Sequence, residues 1–329
     1  MAAVQHLAVL GRDVAAAALA QPPSQWCQAF FLGAAAGIAA LNALPASLRG
    51  LVIDYGARAG TTTARLRSGW TARMVGAATR AGQIPHSWFC HFYMLSVAAS
   101  AFWAWQFLGR GGVMRALATR QGGDAVSGDD AEAVNRALGR VFAAWLMMAL
   151  QGARRLYESL LVMRTGSGST MWFVHWVMGL AFYAVMSIGV WIEGSGAVLD
   201  AILAAWATQD PSRILSSRVP AALAVYFWAW VKQNECHAHL ASLKKYTLPT
   251  AGLFRFLVCP HYTCECLIYL TIAFVAAPTG RWFSGPVICG LVFVAANLGT
   301  TAIGTRRWYA EKFGAEAVAS RWTMIPLVF

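Results

Sequence analysis

Ionisable and amide side chains interrupt apolar stretches of this sequence, where a charge is costly unless it is paired or has a function. The first of four such clusters is QNECHAHLASLKK at 233–245. Helical spacing places Gln233, His237 and Lys244 on one stripe, so that amide, imidazole and ammonium groups suit an elongated polar ligand ending in phosphate. The alternative is an ordinary helix end that emerges into water. The histidine and cysteine spacing matches no familiar zinc pattern, so no metal site is predicted.

The second cluster begins another apolar segment, with the sequence PHYTCECLIYL at 260–270. His261 and Glu265 are four residues apart and therefore face the same way on a helix. The apolar run that follows makes an unpaired carboxylate expensive, which favours a functional role for Glu265. The alternative is a local His–Glu pair at a helix start, where the helix dipole also favours a negative charge.

An arginine pair lies inside a third apolar segment, LMMALQGARRLYESLLV at 146–162. The polar members of this segment include Gln151, Arg154, Arg155 and Glu158. The two arginines either line a polar cavity or extend towards the cytosolic face of a membrane. An internal pair between Arg155 and Glu158, which are three residues apart on a helix, is the alternative.

The fourth cluster, TRRWYAEKF at 305–313, combines basic and aromatic residues. Arg306 and Tyr309 are three residues apart and share one face of a helix. From composition alone, the preferred interpretation is a positively charged membrane anchor with an aromatic residue at the membrane interface.

The elements that must position these clusters are membrane helices, because 58% of the 329 residues are hydrophobic and only 12% are charged. Soluble domains carry roughly 25% charged residues, and a soluble domain of this size cannot hide so much apolar surface. The composition also excludes a disordered, collagen-like or coiled-coil chain. The sequence has no Walker A motif and no GxGxxG turn after a strand, so a dinucleotide is expected to bind among helices.

Apolar segments long enough to cross a hydrocarbon core of about 30 Å predict the topology. There are seven, at about 26–46, 88–108, 141–163, 171–193, 219–240, 262–278 and 282–303. Arginines dominate the loop 47–87, so the positive-inside rule places that loop in the cytosol, and alternation places the C-terminus there as well. The predicted fold class is all-α: a single polytopic membrane domain over residues 1–329 with about seven transmembrane helices.

Several segments have a recognisable order and spacing along the chain. They are IPHSWFCHFYMLS at 84–96, ARRLYESLLV at 153–162, QNECHAHLASLKK at 233–245, GLFRFLVCPHYTCECLIYL at 252–270, and RRWYAEKF with IPLVF within 306–329. Together they resemble the steroid 5-alpha-reductase family, most closely its polyprenal reductase branch, whereas residues 1–80 match poorly. The resemblance implies an NADPH-dependent reductase of carbon–carbon double bonds conjugated to a carbonyl. It also implies an endoplasmic reticulum membrane protein whose cofactor site lies within 219–329 and faces the cytosol.

The resemblance further implies roles for individual side chains. Cofactor contacts are implied for Gln233, His237, Lys244, Arg155 and Tyr309, and the basic residues Lys245 and Arg306 are further candidates for contacts with the cofactor phosphates. Glu265 matches the family's glutamate beside the nicotinamide, and the further catalytic candidates are His261, Tyr262 and His91. Tyr93 and Gln83 are additional candidates for the group that stabilises the substrate oxygen.

The expected substrate follows from two departures and from the chemistry of hydride. Gly152 stands where the steroid enzymes have the tyrosine that holds the steroid carbonyl, and Gln83 stands at the position of its acidic partner. Because hydride adds to a double bond that is conjugated to a carbonyl, the resemblance implies reduction of polyprenal to dolichal, which serves dolichol synthesis and protein N-glycosylation. The expected partners are a polyisoprenoid from the bilayer and membrane lipids, with no nucleic acid and no obligate protein partner. The alternatives are a steroid or enoyl-thioester reductase, an isoprenylcysteine-type methyltransferase and a non-enzymatic membrane scaffold.

Overall fold

The computed structural model describes residues 20–45, 81–122, 131–163, 168–203, 218–244 and 247–329, together with isolated positions at 5–6, 13, 16–17, 74 and 77. Most of the predicted cytosolic loop 47–87 lies outside the described residues. Lys245, one of the expected cofactor contacts, also lies outside them. The seven segments predicted as spans all overlap helices within the described ranges.

Helices make up most of the described chain. They are α1 Pro23–Ala43, α2 Cys90–Leu108, α3 Gly112–Gln121, α4 Ala131–Tyr157, α5 Phe173–Gly189, α6 Ser195–Leu203, α7 Arg218–Ser242, α8 Pro260–Val275, α9 Gly285–Phe313 and α10 Glu316–Ala319. A π-helical turn, Glu158–Val162, extends α4, and 3-10 turns lie at His86–Phe89, Ile192–Gly194 and Gly252–Arg255. Strands β1 Gln83–Pro85 and β2 Thr170–Trp172 pair antiparallel, with Gln83 opposite Trp172.

Proline in the first turn begins three of the long helices, α1, α8 and α9. Proline suits this place because the missing N–H has no intrahelical partner there and the fixed φ is already helical. Within the described part of the chain, four helical stretches are long and apolar enough to cross a membrane, at Pro23–Ala43, Glu132–Val162, Phe173–Ile202 and Gly285–Phe313. The helical membrane fold is therefore confirmed, while the count of seven spans stays a prediction.

The helices pack so that α8 lies between α7 and α9, while α4 contacts both α2 and α8. Fully buried side chains from different helices meet in this core, among them Phe31, Met186, Tyr226 and Ile272. The segment before α8 is tied to the end of the chain, since Val258 N donates to Trp322 O at 2.8 Å and Cys259 N donates to Thr323 O at 3.0 Å. These bonds fix the start of α8, the helix that carries Glu265.

Candidate active site

Three helices bring polar side chains together inside the helical core. On α4 and its π-helical extension the polar residues recur every three or four positions, and such spacing places them on one face. They are Gln151, Arg154, Arg155 and Glu158. α7 contributes Gln233 and His237, four residues apart, and α8 contributes His261 and Glu265 with the same spacing. We call the side chains at these eight positions the polar network.

Glu158 binds more donors than any other carboxylate of the described chain, and its side chain is fully buried. Oε1 accepts hydrogen bonds from Arg154 Nη1 at 2.5 Å and from Asn234 Nδ2 at 2.8 Å. Oε2 accepts from Arg155 Nη1 and, at 2.8 Å, from His237 Nδ1. A buried carboxylate needs such partners to offset its lost hydration. Glu158 is also the first residue of the π-helical turn, and π-helical turns are frequent at functional sites.

Two amide side chains connect the arginine pair to Glu265. Gln151 Nε2 donates to Glu265 Oε2 at 3.1 Å and to Gln233 Oε1 at 3.0 Å. Gln233 Nε2 also donates to Glu265 Oε2. Arg154 Nη2 donates to Gln151 Oε1 at 2.8 Å and to Gln233 Oε1. Both amides therefore turn their oxygens to the cation and their nitrogens to the carboxylate, so their orientation follows from the surrounding charges.

Both amides bind the same oxygen of Glu265, Oε2. An ionised carboxylate can accept at roughly four positions, so this group retains acceptor capacity for another donor. Glu265 is only partly buried. The hydrogen bonds of Glu265 come from Gln151 of α4 and Gln233 of α7, and among the described residues none comes from the His261 ring.

His261 is a partly buried residue, and its Nδ1 atom is buried with no hydrogen-bond partner among the described residues. Its ring lies against Tyr262, with ring centroids 4.2 Å apart, and its centroid is 5.5 Å from that of His237. Buried polar atoms are nearly always hydrogen-bonded, so an unpartnered one asks for an explanation. A polar ligand group beside Glu265 supplies one.

Tyr93 joins the polar network from α2. Arg155 Nη2 donates to the Tyr93 hydroxyl at 2.6 Å, and the guanidinium carbon lies 4.8 Å from the ring centroid. Only 4% of Tyr93 is exposed. Because the hydroxyl accepts from Arg155, its own proton remains available for donation. The ring packs against Tyr183 of α5, with centroids 5.7 Å apart.

The other expected site residues lie elsewhere. His91 packs against the rings of Trp88 and Trp176, with centroids 5.5 and 6.1 Å away. Lys244 is exposed beyond the end of α7. Two residues of α9, Arg306 and Tyr309, belong to the C-terminal part of the fold.

That C-terminal part is a second cluster built around the segment before α8. Tyr309 is buried there with Val258, Cys259 and Met324, and Tyr262 packs against the same cluster. Arg306 Nη1 donates to the carbonyl of Arg321. Tyr262 therefore touches both this cluster and His261 of the polar network.

The structure thus brings together five of the expected residues, Arg155, Gln233, His237, His261 and Glu265. It adds others to which the sequence assigned no cofactor or catalytic role. These are Gln151, Arg154, Glu158 and Asn234. The available signal for most of them was the run of polar side chains at helical spacing in an otherwise apolar helix.

Comparison of the sequence with known proteins finds one matching family model and several similar proteins. The profile of the 3-oxo-5-alpha-steroid 4-dehydrogenase family matches residues 173–329, which include α7, α8 and α9. Polyprenal reductase 1 of Oryza sativa subsp. indica is 24% identical over 289 residues, covering 74% of this chain and 79% of the relative. Polyprenal reductase of Saccharomyces cerevisiae is 31% identical over 184 residues, covering 56% and 63% respectively. Polyprenal reductase of Xenopus laevis is 29% identical over 270 residues, covering 75% and 78%.

The family match and the relatives agree with the resemblance identified from the sequence, which is thereby confirmed. Gln233, His237, His261 and Glu265 lie inside the matched family region, whereas Arg155 precedes it. The chain is similar to the polyprenal reductases, and its residues 173–329 match the model of the 3-oxo-5-alpha-steroid 4-dehydrogenase family.

Proposed function

We propose that this protein is an oxidoreductase that uses NADPH to reduce the alpha-unsaturated double bond of polyprenal, giving dolichal. The observation that carries the proposal is the polar network: a carboxylate, Glu265, is oriented by two amides beside the unpartnered His261 Nδ1. Relatives named polyprenal reductase support the substrate class. The match to a steroid reductase family supports reduction of a carbon–carbon double bond.

The donors and acceptors of the polar network fit a nicotinamide carboxamide. Such a group offers N–H donors for the carboxylate of Glu265, and His261 Nδ1 is a buried polar atom that lacks a partner among the described residues. When bound, NADPH supplies a hydride to the carbon beta to the aldehyde. Glu265 would fix the orientation of the carboxamide, and Gln151 and Gln233 would hold Glu265 in place.

Tyr93 is the group that we assign to the substrate oxygen. Negative charge develops on that oxygen during hydride addition, and an oriented donor stabilises it most where water is excluded. Arg155 holds the Tyr93 hydroxyl at 2.6 Å, and both side chains are buried. The hydroxyl would donate a hydrogen bond to the oxygen, and Arg155 would strengthen that bond through its contact with Tyr93. The alpha carbon would then take up a proton from water to give dolichal.

The cofactor phosphates are assigned to the predicted cytosolic ends of the helices. Lys244 is exposed beyond α7 and is free to meet a phosphate. Arg306 is partly buried and uses one of its N–H groups to bind the Arg321 carbonyl, which limits its movement toward a phosphate. Lys244 is therefore the better candidate of the two. Lys245 remains a proposed contact from the sequence.

Polyprenal is favoured over a steroid because position 152 has no room for a side chain. A Cβ atom added to Gly152 would lie 2.5 Å from Ser96 Oγ. The tyrosine that the resemblance places here in the steroid enzymes would therefore require α2 and α4 to separate. We assign the protein to the endoplasmic reticulum membrane, with its cofactor site in the cytosol and its product serving dolichol synthesis for N-glycosylation.

The test is to incubate the purified protein in detergent with polyprenal and NADPH and to follow products by mass spectrometry. We expect dolichal, whose mass exceeds that of polyprenal by one hydride and one proton. Testosterone replaces polyprenal in a parallel reaction, and S-adenosylmethionine replaces NADPH in another. Comparable turnover of testosterone would contradict the substrate assignment, and methyl transfer would contradict the reaction class.

A further inference from the structure

An apolar cavity of about 390 Å³ lies between α2, α3, α4 and α6. All its lining residues are hydrophobic or glycine, and five are aromatic. Members from different elements include Trp103, Phe107, Leu138, Val141, Phe142 and Trp191. The cavity reaches the surface, because Phe142 is 55% exposed.

The size and lining of this cavity favour an apolar occupant. Cavities that bind small ligands typically measure about 300–1,000 Å³. Ordered water needs two to four polar partners, which hydrocarbon and aromatic walls do not supply. An empty cavity of this size would also be costly, since its walls lose the dispersion contacts of close packing. The cavity therefore suits a hydrocarbon chain.

The position of the cavity connects it to the polar network. α2 and α4 run antiparallel, since Tyr93 contacts Arg155 and Trp145 Nε1 donates to the Ser100 carbonyl at 3.0 Å. The cavity residue Phe107 lies fourteen positions after Tyr93. At 1.5 Å per residue, the two are separated by about 21 Å along the helix pair.

An exposed apolar stripe on α4 runs along much of the distance between Tyr93 and the cavity. Leu150, Leu146 and Phe142 follow one another at four-residue spacing, so they line one face of the helix. Their exposed fractions are 36%, 41% and 55%. The interior seam between α2 and α4 is closed at Gly152 and Ser96, where even a Cβ atom would overlap. A long chain would therefore run along the outer face of α4 and enter the cavity beside Phe142.

We propose that this cavity binds the distal isoprenoid units of the substrate while the aldehyde lies at Tyr93. The proposal rests on the proposed function and adds a binding site for the tail. We assign the cavity to the substrate tail because the cavity and Tyr93 lie at opposite ends of the same helix pair, α2 and α4. A phospholipid acyl chain, the other hydrocarbon at hand in a membrane, is an outcome that the test can reveal.

The first experiment fills the cavity with Val141→Trp and compares a short substrate, farnesal, with long-chain polyprenal. Farnesal is too short to use the distant cavity, so its turnover should stay near that of the parent protein. For polyprenal, kcat/KM should fall by at least about tenfold, since burial of even one isoprenoid unit is worth more than a factor of ten. The matched control is Val177→Trp on α5, where the side chain is 49% exposed and does not line the cavity. An unchanged preference for polyprenal in Val141→Trp would refute the tail site and leave the cavity to lipid.

A second experiment needs neither the variant nor catalysis, which separates this proposal from the proposed function. The parent protein is labelled with a polyprenol just long enough to reach from Tyr93 to the cavity, which carries a photoreactive group at its far end. Labelled peptides are identified by mass spectrometry. Labelling should fall on α2 residues 103–108 or α4 residues 138–145, and excess unlabelled polyprenol should suppress it. If Val141→Trp fails to fold, the labelling of the parent protein alone decides whether the cavity binds the substrate tail. Labelling that is absent from both segments, or that phospholipid suppresses equally well, would overturn the proposal.

Discussion

Glu158→Gln removes one charge from the centre of the polar network while it keeps the size of the side chain. The parent carboxylate is fully buried and accepts from Arg154, Arg155, His237 and Asn234. The glutamine has one carbonyl oxygen to offer, and its amide nitrogen would face donors. The two arginine side chains are only 5% and 9% exposed, so water cannot replace the lost partner. Breaking a buried pair from one side typically costs about 3–5 kcal/mol.

A matched control is available one helix away. Glu235 pairs with Lys232 at 2.8 Å on the outside of α7, where the glutamate side chain is 56% exposed. Exposed pairs contribute at most about 1 kcal/mol. Glu235→Gln should therefore leave the thermal midpoint in detergent nearly unchanged. Glu158→Gln should lower the thermal midpoint by several times more than Glu235→Gln does. Tryptophan fluorescence follows the unfolding of both variants.

The reasoning also predicts a partial rescue. If the cost of Glu158→Gln comes from uncompensated arginine charge, a second change that removes one charge, Arg155→Gln, should recover part of the lost stability. Residues in contact commonly couple by about 0.5–3 kcal/mol. Equal midpoints for Glu158→Gln and Glu235→Gln, or strictly additive losses in the double variant, would refute the charge argument.

Further predictions test the cofactor site and the helix seam. Glu265→Gln should keep the fold but lower kcat/KM by about 10- to 150-fold, because a charge-assisted bond is worth about 1.5–3 kcal/mol; parental activity in this variant would remove Glu265 from the site. Gly152→Ala should lower the thermal midpoint, since its Cβ would lie 2.5 Å from Ser96 Oγ. Adding Ser96→Ala should restore part of the lost stability. No recovery in the double variant would mean that the contact with Ser96 is not the cause. NADPH should bind more tightly than NADH, with a Kd that rises with salt, and Lys244→Gln should weaken that salt dependence; equal affinity for the two cofactors would contradict a phosphate contact.

The composition of the polar network could largely be predicted from the sequence, because charges inside apolar segments are rare and helical spacing shows which of them share a face. This reasoning correctly grouped Gln233 with His237, and it identified Arg155 and Glu158 as neighbours. The pair between Arg155 and Glu158 does form. Its carboxylate also binds His237 and Asn234 of α7. Spacing along one helix carries no information on which helix lies opposite, so these contacts could not be predicted.

The same limit explains the partners of Glu265. The sequence placed His261 and Glu265 on one face of α8, which is consistent with their positions in the structure. It could not predict that amides from α4 and α7 bind the carboxylate. The C-terminal cluster is another case, because the backbone pairing of Val258 with Trp322 brings together segments more than sixty residues apart.

The charges of the polar network restrict which part of a ligand can bind there. Arg154 and Arg155 carry two positive charges, and Glu158 and Glu265 carry two negative charges, so these four groups of the polar network balance without a ligand. A phosphate bound at this depth would add unbalanced negative charge beside Glu265, which the apolar surroundings penalise. Neutral polar groups, such as a carboxamide or an aldehyde, bring hydrogen bonds without changing the charge. Under the proposed function, the balance therefore favours the neutral ends of NADPH and polyprenal at the polar network, and it favours exposed cations such as Lys244 for the phosphates.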